Sequence, residues 1–561
     1  MKILKSLLPI IIVVVLSVWT ILPFLRSGFF PIHDDTQVAR VFEMAKGLSD
    51  GMFPVRWSAD LGYGFGYPIF NFYDPLPYYI GGIIEIIGFN ALLATKLMMA
   101  LGVMASGISM YLLAKEFWGK QGGIISALFY TYAPYHALDV YVRGDVAEFW
   151  AYVFVPLIFY ALLKIHKSES FRFVAIGALS YAALIISHNL TALMATPFII
   201  AFAIMLSLGN RKTSKNLFIS IALGLLISAF YWLPAILEMQ YTNVSSLIGG
   251  GSNFRDHFVC LAQLWTSPWG YGGSTKGCVD GLSFMVGKYH ILLASLLFIF
   301  ALAALISKKY FNNFPKKKLI MLVFAFLGFL ISIFFTLQIS QPVWELIRPM
   351  AFLQYPWRFL LMVVFFASFI CGSLPWFMGK IIKKELLTIT ILMLFSGFLI
   401  FVSVKFFVPE KYLQANSQSY TSAYALKWTT SKISDEYMSK DFQRPNNQSG
   451  VANISKINSK YTIVKIVSQK TQEIVFDTNS SREESIILPL AYFPSWQGYM
   501  DGKKMILNDN KGKIEVSVPK GQHQLTFVFE QSKIELLADL ISLAGILALF
   551  VGIIHLNKKY A

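Results

Sequence analysis

The stretch Arg358-Phe359-Leu-Leu-Met-Val-Val-Phe-Phe-Ala-Ser-Phe-Ile-Cys-Gly-Ser-Leu-Pro-Trp-Phe-Met378-Gly-Lys380 decides the fold. From Phe359 to Met378 it carries no charge, and a helix of that length crosses the ~30 Å of hydrocarbon in a bilayer. A cation stands at each mouth, where it can reach headgroups. Comparable runs recur at 7–25, 91–114, 121–136, 146–163, 173–188, 190–208, 217–237, 289–306, 319–337, 386–407 and 534–556, so the sequence predicts twelve spans in all. The composition agrees: 56% of the 561 residues are hydrophobic and 14% are charged, against roughly 25% charged in a soluble domain. A string of soluble domains is excluded.

The net charge is +17, which in a soluble chain would suggest nucleic acid. Here the sign is read loop by loop. Basic residues gather in alternate short loops, at Lys2 and Lys5, Lys115 and Lys120, Lys164, Lys167 and Arg172, Arg211, Lys212 and Lys215, Lys308, Lys309 and Lys316 to Lys318, Lys380, Lys383 and Lys384, and Lys558 and Lys559. The positive-inside rule then puts both termini in the cytoplasm and makes the chain a multi-pass protein of the cell membrane, with anionic lipid and not nucleic acid as the partner of these charges. Leu7 to Leu25 is a retained helix, since Arg26-Ser27-Gly28 lacks a small-x-small cleavage site. Residues 1–407 form the membrane region, with outer loops at 26–77 and 238–288. Cys260 and Cys278 share the second of these loops, which suits a disulfide there; two free thiols in a reducing niche is the alternative.

At Pro409 the composition turns rich in Ser, Asn, Gln and Lys. Period-2 runs follow in Tyr461-Thr-Ile-Val-Lys-Ile-Val, Ile514-Glu-Val-Ser-Val and Leu525-Thr-Phe-Val-Phe, and Asp501-Gly502 has the residue types of a two-residue hairpin turn. Residues 408–533 are therefore expected to be an extracytoplasmic β-sandwich-like domain, anchored by a last helix within 534–561.

Polar residues collect on the outer side, where each ionisable group within lipid would cost about 2.5–3.5 kcal/mol at mid-depth. Pro31-Ile-His33-Asp34-Asp35-Thr36 follows the first span; paired carboxylates beside a His can act as a general base or hold a divalent cation such as Mg or Mn. Arg143-Gly-Asp145-Val-Ala-Glu148 lies between the third and fourth spans, and its acids, three apart, can also form a helix-capping pair. His188-Asn189 occupies the next outward turn, and Gln354-Tyr-Pro-Trp357-Arg358 the mouth of the tenth span. Asp34, Asp35, Glu148 and His188 are the candidate catalytic groups. The aromatic and glycine-rich stretch from Phe53-Pro-Val-Arg56-Trp57 through Gly62-Tyr-Gly-Phe-Gly-Tyr67 to Tyr73 suits stacking on sugar rings or anchoring at the headgroups. No Gly-Lys-Ser/Thr follows it, so it is not a nucleotide loop. His33, Arg56, Trp57, Tyr67, Tyr73, Arg143, Asp145, Asn189, Trp357 and Arg358 are the candidate substrate contacts.

These motifs resemble a family. His33-Asp-Asp-Thr-Gln, Phe53-Pro-Val-Arg-Trp, Gly64-Phe-Gly-Tyr-Pro-Ile-Phe, Arg143-Gly-Asp-Val-Ala-Glu-Phe, Ser187-His-Asn-Leu-Thr-Ala-Leu and Tyr355-Pro-Trp-Arg-Phe-Leu look like bacterial and archaeal membrane proteins labelled 6-pyruvoyl-tetrahydropterin synthase-related. The carboxy-terminal Trp496…Asp501-Gly-Lys…Pro519-Lys-Gly-Gln-His resembles the YfhO-like group. Nothing matches the soluble zinc enzyme of the label, because no His triad is present. The family's architecture resembles the GT-C integral membrane glycosyltransferases. The resemblance implies Asp34 or Asp35 as a first-loop catalytic carboxylate, a polyprenyl-phosphate sugar as donor, and an envelope glycan, lipid or protein as acceptor. A lipid-linked sugar flippase and a non-catalytic glycan-binding scaffold are the other two classes. The outer ends of spans one, three, four and five are expected to converge on one acidic, water-accessible cavity.

Overall fold

The computed structural model describes residues 2–168, 170–208, 211–244, 250–306, 315–382, 384–455, 457 and 459–557. Lys308, Lys309, Lys383, Lys558 and Lys559 of the charge pattern lie outside the described residues. Most of the chain is helical. Eight described helices are long and apolar enough to cross a membrane, or nine if the bent pair Lys212–Ile227 and Ala229–Leu237, inclined at 62°, counts as one. Among the described residues, helix length and apolarity by themselves therefore do not confirm a count of twelve.

Three departures account for most of the difference. The first helix, Lys2–Ser17, gives way to 3-10 turns at Val18–Thr20 and Leu22–Leu25, where Pro23 withholds an N–H donor. Phe171–Ser187 is a shorter apolar helix. The expected second and third spans lie in one helical stretch, Ala91–Thr131, broken at Gly119 with φ 80° and ψ 180°. Only glycine adopts that backbone cheaply, and the chain doubles back there. A Cβ on Gly107 would stand 2.7 Å from Thr131 Oγ1, whereas a straight helix would hold those residues ~36 Å apart.

The two ends of the bundle differ in chemistry. At one end Lys164 and Lys167 pair with Glu116 at 3.5 and 3.0 Å, and Lys318 lies over the Trp376 ring. At the other, long-range hydrogen bonds knit the large loops together. Phe29 pairs with Leu413, His33 Nε2 meets the Tyr271 carbonyl at 2.9 Å, and Asp50 Oδ2 accepts from the Thr471 amide and hydroxyl, both at 2.7 Å. Cys260 and Cys278 are joined as a disulfide, with Cα atoms 5.5 Å apart.

The β-rich region holds two antiparallel sheets, one ordered β1-β2-β8-β4-β5 and the other β3-β7-β6. The five-stranded sheet comprises β1 (Thr462–Gln469), β2 (Glu473–Ser480), β4 (Trp496–Met500), β5 (Lys503–Met505) and β8 (Gly521–Phe529); β3 (Glu484–Ala491), β6 (Asn508–Asn510) and β7 (Lys513–Val518) form the other. Alternate residues face the interior, as Ile514, Val516 and Val518 do on β7 and Leu525, Phe527 and Phe529 on β8. Asp501 and Gly502 both have positive φ, 49° and 77°, which is what a two-residue hairpin loop between twisted strands requires. Before β1 the segment runs through short helical turns and packs on the first loop: Tyr63 donates to Asp435 at 2.9 Å and Arg40 Nη2 to Ser434 Oγ at 2.9 Å.

Candidate active site

The chain from Tyr135 to Glu148 builds the centre of the site. Pro134–Leu138 is a single helical turn, Asp139–Arg143 is a wider π-type turn, and Gly144 at φ 64° ends it so that Val146–Ser168 can start. The π turn places Asp139 and Arg143 one above the other, and the left-handed glycine swings Asp145 back onto the same guanidinium. Arg143 Nη1 donates to Asp139 and, at 2.7 Å, to Glu148 Oε2, while Nη2 donates to Asp145 Oδ2 at 2.7 Å. Tyr135 donates to Glu148 Oε1 at 2.6 Å, and the Glu148 amide donates to Asp145 Oδ1 at 3.1 Å. The capping reading and the charge-cluster reading of Asp145 and Glu148 are thus both realised. All four charged groups are buried.

Two further elements close on this cluster. Arg358, from the turn Pro356–Phe359, brings Nη2 to 3.8 Å from Asp145 and Nε to 3.6 Å from Glu148, with a side chain only 10% exposed. Its Nε and Nη1 have no hydrogen-bond partner. His188, between Phe171–Ser187 and Asn189–Ser207, is buried and bonds Thr191 Oγ1 through Nδ1 at 2.7 Å. Burial opposes the ionisation of Asp145, but Arg143, His188 and Arg358 outweigh it and hold the carboxyl below its usual range.

The first loop docks through its backbone: the His33 and Asp34 amides donate to the Val142 and Arg143 carbonyls, each at 3.0 Å, and Gln37 Nε2 donates to the Gly144 carbonyl at 2.8 Å. This brings Asp34 to the cluster. Both carboxylates stay half-buried. Asp34 has its pKa raised by burial and by Asp145, against the pull of Arg143, Arg40 and Arg358. Burial alone pushes Asp35 up to about 6.

The structure therefore brings together Asp34, Arg143, Asp145, Glu148, His188 and Arg358. Trp357 joins them, its ring 4.7 Å from the Arg143 guanidinium and its Nε1 donating to Ser274 at 3.1 Å. Asp35 and the exposed His33 stand at the rim, and Tyr73 lies under Arg40, 4.2 Å from ring centre to guanidinium. Three expected substrate contacts lie elsewhere, and Asn189 is engaged beside His188. Arg56 is committed to Asn71, the Phe230 carbonyl and Asp539, at 2.7, 3.1 and 2.7 Å. Trp57 is inserted among Trp496 and Phe529 of the sheets, at ring distances of 5.5 and 5.4 Å. Tyr67 is buried against Ser434 and Tyr437. Asn189 braces Asp74 and Tyr231, at 2.9 and 3.1 Å. Arg56, Trp57 and Tyr67 are buried in these contacts, whereas Asn189 is partly buried. Glu148 and Asp139 are fully buried at the inner side of the acidic centre, whereas Asp34 and Asp35 are half-buried.

Two residues outside the expected set complete the centre. Asp139 is a lone carboxylate in an apolar run and stands four before Arg143, the spacing of a helical ion pair; that signal was available. Arg40, which reaches Tyr78 at 3.2 Å and Ser434 at 2.9 Å, was marked only by being a cation on the side where cations are scarce.

Asp145, Glu148 and His188 offer donor atoms within 4.8 Å of one another, the compactness a metal ion needs. The donors do not suit a divalent cation. Arg143 already binds an oxygen of each acid, Tyr135 and a backbone amide take the others, and Arg358 adds a second positive charge. Among the described residues no three-histidine group exists to hold zinc.

The segment that builds this centre carries a family signature. Residues 70–248 match the model of the 6-pyruvoyl-tetrahydropterin synthase related domain, described as a membrane protein. The matched domain includes Arg143, Asp145, Glu148 and His188, whereas Asp34 and Arg358 come from outside it. A protein of Lactococcus lactis subsp. cremoris, named only as uncharacterized, is 26% identical over 250 residues, which are 42% of this chain and 41% of that protein. Among solved structures, the chain is similar to the archaeal oligosaccharyltransferase AglB from Archaeoglobus fulgidus, with TM-score 0.46 and 12% identity over 79% of this chain and 62% of that one. It is similar to the mycobacterial arabinofuranosyltransferase AftD, with TM-score 0.45 and 14% identity over 74% of this chain and 28% of that one. With ArnT from Cupriavidus metallidurans the TM-score is 0.32 and the identity 12%, over 67% and 80%.

Proposed function

We propose that the protein is a membrane glycosyltransferase that moves a sugar from a polyprenyl-phosphate donor to a glycan, lipid or protein acceptor on the outer face of the cell membrane. One observation carries this reading: Arg358 is nine-tenths buried, yet its Nε and Nη1 make no hydrogen bond, and it stands near Asp34, a half-buried carboxylate with no cation in hydrogen-bond contact among the described residues. Buried donors left unpaired cost about 1–3 kcal/mol each. An anionic ligand oxygen would satisfy them, and a phosphate matches the guanidinium fork.

The chemistry follows from the two charges. Asp34 or Asp35 accepts the proton of an acceptor hydroxyl as its oxygen bonds to the anomeric carbon. The bond from that carbon to the phosphate oxygen breaks, and the electron pair leaves with the lipid phosphate. Arg358 donates to the charge that develops there, in a site where the low dielectric strengthens the interaction. The departing phosphate needs no proton. Arg143, held by three acids, orients this arrangement and takes no part in binding. A positioned base contributes typically ~10²–10⁴ in rate.

The test is analysis of lipid-linked and envelope glycans in cells with and without the gene, then with Arg358→Gln and with Asp34→Asn/Asp35→Asn. A glycan present only with the wild-type chain, and lost with both variants at normal expression, supports transfer. Identical glycan profiles in all four strains would remove the enzyme reading.

A further inference from the structure

A second cationic pocket lies outside the acidic centre. Residues Ser252, Asn253, Phe254, Arg255, Trp344, Glu345, Arg348 and Ala351 surround a cavity of about 220 Å³, below the ~300–1,000 Å³ of pockets that take drug-sized ligands and suited to a headgroup. Glu345 is already paired with Arg255 at 3.0 Å and accepts from Gln341 at 2.7 Å. The exposed side chain of Arg348 makes no hydrogen bond or ion pair with any described residue, so the lining keeps one positive charge that no acid offsets. The Tyr355–Trp357 ring pair, stacked at 5.0 Å, separates this cavity from Arg143 and Arg358, and Ser252 reaches the Tyr355 hydroxyl at 3.2 Å.

The surroundings of the cavity are apolar and exposed. Ile339, Leu346, Ile347 and Phe352 are 72%, 82%, 44% and 38% exposed. They follow within a short stretch of chain the outward-facing Leu327, Leu330 and Ile331 of the membrane helix Lys316–Thr336. Four large apolar side chains facing water would be costly, and their continuity with the lipid face of that helix places them in the bilayer's interfacial layer. A short helix at that depth with an arginine beside it meets phosphate groups.

We infer that Arg348 and the cavity around it bind the phosphate headgroup of an anionic membrane phospholipid, with Ile339, Leu346, Ile347 and Phe352 against its acyl chains. Ser252 and Asn253 are the neutral groups placed to meet the remaining headgroup oxygens. The inference is independent of the glycosyltransferase reading, because the readout below is lipid retention and not transfer.

The experiment uses the full chain in nanodiscs of phosphatidylcholine doped with phosphatidylglycerol, released into native mass spectrometry so that bound lipids are counted. Phosphatidylglycerol should be retained over phosphatidylcholine, and Arg348→Ala should lower that retention roughly fivefold, the usual effect of one arginine at an anionic surface. Ala351→Trp, which fills the cavity and keeps every charge, should lower it as well. Lys503→Ala, at an exposed hairpin tip, should leave it unchanged. Equal retention in wild type and Arg348→Ala overturns the inference. So does loss in Arg348→Ala without loss in Ala351→Trp, because the charge would then act at the surface and not in the cavity. Adding inorganic phosphate separates the sources: displacement of the lipid by phosphate supports recognition of the phosphoryl group, whereas bound phosphate in chains that show no preference for phosphatidylglycerol overturns a lipid site.

Discussion

At the scale of single residues, the site is governed by an imbalance between buried acids and arginines. Arg143 faces Asp139, Asp145 and Glu148 at hydrogen-bond range, and taking one charge from such a cluster leaves the others without compensation. Arg143→Met should therefore lower stability by ~3–5 kcal/mol, read as a lower unfolding temperature in detergent. Asp34 and Asp35 behave differently, because they are half-buried and not locked into ion pairs. Asp35 titrates at about 6 and Asp34 above its ordinary value, both because burial disfavours the charged form. A base works only when deprotonated, so transfer should fall as pH drops through about 6 and level off above it. In Asp34→Asn/Asp35→Asn, transfer should fall ~10²-fold or more, and what remains should lose its dependence on pH in this range. A variant that keeps the wild-type pH profile of transfer would place the base elsewhere. The sequence marked both residues as a pair near the membrane surface, but it could not tell half-buried from solvated.

At the scale of elements, the breaks in the helices shape the site more than the helices do. The π-type turn Asp139–Arg143 and the left-handed Gly144 stack four charged residues that a regular helix would spread around its axis. The break at Gly119 turns one long apolar segment into an antiparallel pair. A Cβ there would meet nothing within 4 Å, so the requirement for glycine is conformational alone. Gly119→Val should cost about 1–3 kcal/mol from the backbone conformation, visible as reduced yield of monodisperse protein and a lower unfolding temperature. Hydropathy located this boundary from Lys115 and Lys120 on either side, yet it could not show that a single residue suffices for the turn. The strands tell the same story from the other direction: period-2 runs marked β1, β7 and β8 and the Asp501-Gly502 turn marked the β4–β5 hairpin, whereas β6 is too short and mixed to stand out.

At the scale of the whole molecule, the large loops and the sheets share one interior. Trp57 of the first loop enters the core beside Trp496 and Phe529, and Arg56 ties that loop to Asp539 on the last helix Lys533–Asn557. The β-rich region thus holds the first loop, which in turn holds Asp34 against Arg143. The charge pattern predicts that this end faces outward. A single cysteine introduced at Lys503 should be labelled by a membrane-impermeant maleimide in intact cells, and one introduced at Lys120 only after lysis. The native chain should remain unlabelled in both conditions, since Cys260 and Cys278 are paired and Cys371 is buried. Labelling at both positions in intact cells would contradict the orientation.

Sequence by itself determined the membrane class, the helical runs, the β-rich segment and the gathering of acids and arginines toward one side, because hydropathy, charge bias and strand periodicity are local properties of the chain. It also named Asp34, Arg143, Asp145, Glu148, His188 and Arg358. Tertiary structure decided which polar and aromatic residues remain available. Arg56, Trp57, Tyr67 and Asn189 have the composition of a sugar site, and packing consumes all four, because their partners lie far along the chain in segments such as 230–231, 434–437, 496–529 and 539. Packing likewise left Arg358 buried with unmet donors beside the acidic centre. Whether a buried cation is already satisfied depends on the positions of several distant groups at once, and no pattern along the chain encodes that.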